Sequence, residues 1–218
     1  MRFLRLTLSR PPASRHPVQT FVETSDAVRR ERNLGVADLP GGYWAHLSHV
    51  EGDLAAFRAV LVRTDTVESF DLTPVGEASF YAYVVYRMRP ADESFLSTFD
   101  EHGVVVLMPV EVDSTGSTFT LVGPDDALAS LVEAFEAEMV VEFERLGEFD
   151  HWHGPLAGRL TDRQREAVSA ALSLGYYAVP READLGAVAV ALDCAPGTAS
   201  TLLRRAERAV MEAAVGGH

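Results

Sequence analysis

The sequence contains no lysine: all nineteen basic residues are arginine, set against thirty-two Asp and Glu for a formal net charge of −13. Lysine is ordinarily among the commonest residues, so its absence beside so much acid marks a biased proteome. An extreme halophile fits both features, whereas a GC-rich genome that replaces Lys by Arg explains only the missing lysine. In molar salt the Debye length falls to about 3 Å, so excess negative charges repel one another weakly and keep the surface hydrated. Whole-chain acidity therefore excludes no nucleic-acid partner.

Cysteine is nearly absent as well. Cys194 alone permits neither an internal disulfide nor a cysteine-based metal site, and it fits a reducing cytoplasm. No stretch approaches eighteen consecutive apolar residues; the longest runs, Phe80 to Tyr86 and Val104 to Met108, are strand-sized, so no membrane span is expected. Met1 to Arg10 alternates Arg with Phe and Leu and reads as a strand, not as a signal peptide. A Walker loop, a dinucleotide fingerprint and a nucleophile motif are all missing, and Leu39-Pro40-Gly41-Gly42 reads as a turn. His16, His46, His49 and His102 are scattered, and His151 and His153 beside Asp150 have no further ligand run nearby. These absences argue against an enzyme, a metal site or a cofactor.

The charge that is present divides the chain. Residues 160–218 hold six Arg and seven acids, whereas residues 1–159 hold thirteen Arg and twenty-five acids. Residues 147–159, including Asp150, Trp152, Gly154 and Pro155, lack both helical and strand periodicity and read as a linker. The expected organisation is an α+β domain over 1–146, the linker, and a helical domain over 160–218.

In the first domain the patterns predict strands at Phe3 to Leu8, Gly42 to Val50, Thr66 to Thr73, Ser79 to Arg87, Val104 to Val112 and Ser117 to Val122, the last two a hairpin about Asp113 to Gly116. Helices are predicted over Asp53 to Val62, Pro90 to Phe99 and Asp125 to Phe135, with Asp53 capping the first and Asp125 or Asp126 the third. Tyr43 to Leu72 and Thr118 to Leu146 each run strand, acidic turn, helix, strand. This is either a duplication or a coincidence of short α+β patterns, and it suits a ferredoxin-like or ACT-like sheet with helices on one face. Phe80, Tyr81, Tyr83 and Tyr86 make an aromatic strand, read as core packing or as a ligand platform.

From Leu160 the pattern is purely helical. Thr161 and Gln164 form a capping box before a helix carrying Ala167, Val168, Ala171 and Leu172 on one face, and Gly175 stops it. Asp184 caps a second helix with Leu185, Val188, Ala189 and Leu192 on one face. A turn at Asp193-Cys194-Ala195 leads to Pro196 and a third helix, a helix-turn-helix spacing. On that third helix Ala199, Leu203, Ala206 and Val210 share one face, while Thr201, Arg204, Arg205 and Arg208 share the other. Three arginines with small hydroxyls on an outward face suit a major-groove reader, since Arg pairs bidentately with guanine or phosphate.

Leu160-Thr-Asp-Arg-Gln-Arg-Glu-Ala, Leu174-Gly-Tyr-Tyr-Ala-Val-Pro-Arg-Glu-Ala and Thr198-Ala-Ser-Thr-Leu-Leu-Arg-Arg-Ala-Glu207 together resemble the helix-turn-helix domain of the haloarchaeal bacterio-opsin activator family. The resemblance implies a transcriptional regulator that binds double-stranded DNA. Its third helix would enter the major groove, with Thr198, Ser200 and Thr201 nearest base edges, Arg204, Arg205 and Arg208 on bases or phosphates, and Arg163 and Arg165 on the backbone. A homodimer is expected, because one helix-turn-helix meets only one half-site. The N-terminal domain would dimerise or sense a small-molecule effector.

The chain departs from the family at Asp193, where Gly is usual, at Ala195, where a Ser cap is usual, and at Gly186, Val190 and Leu202, which replace charged or polar residues. These apolar replacements support an alternative, a protein-interaction or small-ligand-binding module whose helix-turn-helix has lost its DNA affinity. The charge pattern makes a prediction independent of either reading. The melting temperature should be highest in molar KCl or NaCl, with unfolding or aggregation below a few tenths molar. A melting temperature indifferent to salt over that range contradicts halophily.

Overall fold

The computed structural model describes residues 1–149 and 160–215, with side chains to residue 212, and the chain forms two compact units, Met1–His151 and Trp152–His218. The proposed linker falls largely on residues 150–159, outside the described residues, as do Asp150, His151 and His153; its first two residues, Gly147 and Glu148, are strand.

The first unit runs β1 (Arg2–Ser9), α1 (Pro17–Thr24), β2 (Val28–Leu39), β3 (Tyr43–Gly52), α2 (Leu54–Arg63), β4 (Val67–Pro74), β5 (Ser79–Arg87), α3 (Pro90–Glu101), β6 (Val105–Asp113), β7 (Gly116–Gly123), α4 (Asp125–Glu136) and β8 (Val140–Glu148). All eight strands join one antiparallel sheet in the order β4-β5-β3-β2-β6-β7-β1-β8. Local signals place most elements where the sequence predicts them. Asp53 accepts a hydrogen bond from the Ala56 amide at 2.9 Å and starts α2. Gly41 and Gly42, both at positive φ, turn β2 into β3. Asp113 Oδ1 accepts from the Thr115 amide and hydroxyl in the β6–β7 turn. The expected acidic cap of α4 is not formed: Pro124 occupies the cap position, and Asp125 and Asp126 lie in the first turn, with Asp125 paired to Arg2 at 3.3 Å.

The strand order reveals a duplication with an exchange. The run β1-α1-β2-β3-α2-β4 is one βαββαβ unit and β5-α3-β6-β7-α4-β8 is a second, and a ferredoxin-like unit places its first strand between its third and fourth. Here β5 lies between β3 and β4, and β1 lies between β7 and β8. Each half is thus completed by the other's first strand. Side-chain burial follows this pairing. Leu4, Leu6 and Leu8 of β1 pack with Phe119, Leu121, Leu131 and Phe135, while Phe80, Ala82 and Val84 of β5 pack with Val50, Phe57 and Leu61. The alternating pattern puts Phe80 and Tyr86 under the helices and leaves Tyr81 and Tyr83 exposed on the opposite face.

Two crossovers, Arg10–His16 after β1 and Met88–Arg89 after β5, carry the chain from one half to the other. They are tied together. Asp92 pairs with Arg10 at 3.1 Å and with Arg89 at 2.6 Å, and both arginines also donate to the Ser14 carbonyl. Burial alone would raise the Asp92 pKa, but the hydrogen bonds and charges of Arg89 and Arg10 hold it below the usual carboxylate range.

The halves meet where β2 pairs β6 over three residues, Glu31↔Val112, Arg32↔Glu111 and Asn33↔Val110. Across the helix-free face a chain of ion pairs spans this seam: Glu144–Arg5 (2.6 Å), Arg5–Glu111 (3.2 Å), Glu111–Arg32 (3.4 Å), Arg32–Glu51 (3.2 Å) and Glu51–Arg30 (3.0 Å). Burial works against ionisation of Glu51, and Arg30, Arg29 and Arg32 outweigh it, so its pKa is lowered. Partly buried pairs of this kind are screened less by salt than exposed ones.

On the helix side, Glu31 is buried with one hydrogen bond from Ser48, and desolvation pushes its pKa from 4.5 to about 7. A carboxyl raised by folding is neutral in the folded state and ionised in the unfolded state between these values. Its contribution to stability is therefore complete below pH 4.5 and lost as pH rises through 7. Glu31→Gln removes that loss. In urea unfolding at fixed molar KCl, the variant should gain on the wild type between pH 5 and pH 8 by up to about 3 kcal/mol. An equal difference at both pH values contradicts a neutral Glu31.

Candidate nucleic-acid interface

The second unit holds α5 (Asp162–Ser173), α6 (Leu185–Ala191) and α7 (Pro196–Val215). Both bonds of the Thr161–Gln164 capping box are present: the Gln164 amide donates to Thr161 Oγ1 at 3.3 Å and the Thr161 amide to Gln164 Oε1 at 2.9 Å. Gly175, at φ +74°, ends α5, and a Cβ there would fall 2.7 Å from that of Glu182. Asp184 accepts from the Ala187 amide at 2.9 Å and starts α6. The chain reverses through Asp193, whose φ of +48° is the left-handed conformation that glycine adopts more readily. Helices α6 and α7 then cross at 96°, within the range of a helix-turn-helix.

The core is small and made mostly of alanine, with Leu192, Leu203 and Val188. Ala167 and Ala171 of α5, Val188 and Ala189 of α6, and Ala199 and Leu203 of α7 are buried together, with Leu192 beneath the turn. Leu172 departs from the expected face: it is exposed, since α5 is covered along Ala167 and Ala171, with Val168 and Ala170 partly buried beside them. Leu202 packs partly against this core, which accounts for its apolar character within the domain. Val190 is 81% exposed, and nothing within the domain explains it.

Helix α7 divides as its sequence predicts. Ala199, Leu203 and Ala206 are buried, while Thr198, Thr201, Arg204, Arg205 and Arg208 are exposed along the opposite side. Thr198 to Arg208 spans about 15 Å at 1.5 Å per residue, a length that fits along a major groove about 12 Å wide. Ser200 is only half exposed, at the border between the two faces. Among the described residues Arg204 and Arg205 make no ion pair, so their guanidinium groups remain available to a ligand. Arg208 pairs with Glu212 at 2.7 Å, which raises its pKa. Thr201 is exposed, and its Oγ1 donates to the Gly197 carbonyl at 2.9 Å.

The two arginines of α5 are placed differently. Arg163 pairs with Glu166 at 2.6 Å and donates to the Leu192 carbonyl at 3.3 Å, which sets it beside the turn between α6 and α7. Arg165 is largely buried, bound to Asp162 at 2.8 Å and to the Leu160 carbonyl at 3.2 Å. The loop before α6 contributes residues that the charge pattern did not single out. Tyr177 donates to Glu207 of α7 at 2.5 Å, and the Arg181 guanidinium lies 4.5 Å from the Tyr176 ring centroid. The only sequence signal for this clamp is the paired tyrosine of Leu174-Gly-Tyr-Tyr.

Comparison with known proteins agrees with this geometry. Residues 160–212 match the HTH DNA-binding domain family of the bacterio-opsin activator type, and residues 16–149 match the N-terminal family HVO_0513_N. A three-helix unit of this form behind a sheet domain defines a DNA-binding transcriptional regulator. By its match over residues 16–149, more than half of its length, the chain belongs to the HVO_0513_N family, and it carries a helix-turn-helix domain of the haloarchaeal bacterio-opsin activator type. It is 28% identical over 172 residues to the dimethyl sulfoxide reductase transcriptional activator of Halobacterium salinarum, covering 74% of this chain and 77% of that protein. It is also 33% identical over 136 residues to a Haloferax volcanii protein provisionally named a transcriptional regulator, covering 59% of this chain but 23% of that one.

Proposed function

We propose that the protein acts in the cytoplasm as a non-enzymatic, homodimeric regulator that sets α7 into the major groove of promoter DNA. The observation that carries this reading is the pair Arg204 and Arg205, which make no ion pair among the described residues, on the exposed side of a helix whose other side is core. Thr198, Ser200 and Thr201 would approach base edges from the N-terminal half of α7, and Arg204 and Arg205 would reach bases. Arg208 would reach a phosphate once released from Glu212. Arg163, beside the turn, suits a backbone contact. Arg165 would serve the backbone from a position already held by Asp162 and Leu160, so its part is mainly to fix the start of α5.

Dimerisation is assigned to the N-terminal unit, helped by the C-terminal end of α7, and an effector is assigned to the same N-terminal unit. The support for the dimer is the helix-free sheet face, where Leu47 pairs with Tyr83 and both, with Tyr81, are exposed. A sheet that leaves such side chains uncovered is suited to meet its own copy across a two-fold axis.

Arginine-to-guanine contacts are worth about 1–3 kcal/mol each. Arg204→Ala with Arg205→Ala should therefore weaken binding to a promoter fragment by at least tenfold at one fixed molar KCl concentration, leaving the melting temperature unchanged. Arg208→Ala should weaken specific and non-specific DNA alike. Unaltered DNA binding by the double variant, with Leu202→Ala or Val190→Ala abolishing capture of a protein partner, would establish the docking reading instead.

A further inference from the structure

The N-terminal unit contains a cavity of about 950 Å³ on the helix side of the sheet, floored by β2, β3, β6 and β7 and walled by α1 and α3. It lies at the seam between the half-domains. The β2–β6 ladder stops at Asn33↔Val110, and each strand carries an irregularity just beyond, between Asn33 and Gly35 in β2 and between Leu107 and Glu111 in β6. Bulges at such points re-aim side chains and end pairing, and they recur beside binding sites. The volume is that of a pocket for a drug-sized molecule.

Two polar atoms in this cavity are buried and have no hydrogen-bond partner among the described residues: Asn33 Oδ1 and His46 Nε2. Leaving such groups unmet is costly, so they are placed for something that enters. Phe95, Phe99, Phe119 and Met108 supply an apolar wall across the same space. The arginines that line it are already engaged. Arg10 is bound to Asp92 and two carbonyls, and Arg87 is paired with Glu68. Burial lowers His46 to about 4, with the neighbouring His16 adding to the shift, and Glu31 is neutral below about 7. Asp38, Glu93 and Asp100 add only negative charge to the lining.

We propose that this cavity is a binding site for an uncharged aromatic small molecule whose amide- or hydroxyl-type end hydrogen-bonds Asn33 and His46 while its ring lies against Phe95, Phe99 and Phe119. An anion of the same shape is excluded, because no lining cation is free to meet it. The regulatory consequence rests on the effector reading above; the site itself does not.

The test uses the full chain in molar KCl at pH 6.5, without DNA, and two probes of equal shape, 2-naphthamide and 2-naphthoate. Calorimetry, or quenching of Trp44 at the cavity lining, should show saturable binding of the amide and at least tenfold weaker binding of the carboxylate. Asn33→Leu with His46→Leu should reduce amide binding at least tenfold while the chain still folds, since Asn33 Oδ1 and His46 Nε2 have no hydrogen-bond partner to lose among the described residues and leucine keeps apolar contact with Trp44 and Tyr86 where the His46 ring lies. If that variant does not fold, Phe119→Trp, which narrows the cavity and keeps its apolar wall, should produce the same loss. No saturable amide binding to the wild type, equal binding of the two probes, or unaltered binding by the variants would each overturn the site. Amide binding that leaves promoter affinity unchanged would keep the site and remove the effector role.

Discussion

The exchange of β1 and β5 between the half-domains is the constraint on which the N-terminal unit depends. Leu6 and Leu8 are fully buried in a half that begins only at Ser79, and Phe80 is fully buried in the half before its own. Neither half can close its core alone. Truncating one such buried Leu or Phe typically costs 2–5 kcal/mol, so loss of a whole strand removes far more than a domain of this size can spare. The consequence is mechanical: the two halves are covalently interlocked, and their crossovers pass one another at Asp92, held by Arg10 and Arg89. These two arginines follow β1 and β5 at similar distances, so the duplication places a pair of cations round one carboxylate.

The same arrangement creates the seam. Two edge strands, β2 and β6, are brought together with only three residues in register, and the helices above them belong to different halves. On the open face the mismatch is closed by the ion-pair chain from Glu144 to Arg30. On the helix side it remains open as the cavity, lined by Asn33, His46 and the aromatic residues of α3 and β7. A void at the junction of two interlocked halves is well placed to couple occupancy to the geometry of the whole sheet, because neither half can shift without the other.

Much of this was legible in the sequence, and what was hidden has a physical reason. Elements with one buried and one wet face announced themselves, as α2 does through Leu54, Phe57 and Leu61 and β5 through Phe80 to Tyr86. Strand β2 did not, because Arg29-Arg30-Glu31-Arg32-Asn33 looks like a solvated loop; its charges are satisfied only by Glu51 and Glu111 on neighbouring strands. Helix α1 is a short eight residues, and its N-terminus is capped by the His16 ring, which accepts from the Val18 amide, so no Ser, Thr, Asp or Asn signals its start. The repeat of strand, acidic turn, helix and strand was visible, whereas the exchange was not, since non-local pairing leaves no local pattern. In the helix-turn-helix unit nearly everything was local: the capping box, Gly175, Asp184, Pro196 and the two faces of α7. Leu172 misled because helical periodicity gives direction but not whether a partner lies there.

Interlocking makes a direct demand on stability. Asp92→Asn keeps the shape of the side chain and removes the charge that binds both crossovers, and native-state hydrogen exchange reads each half separately. The account predicts that amides of β3, β4 and β5 and amides of β6, β7 and β8 lose protection together and by the same factor, as one cooperative unit. Loss of protection in one half with the other unchanged would contradict it.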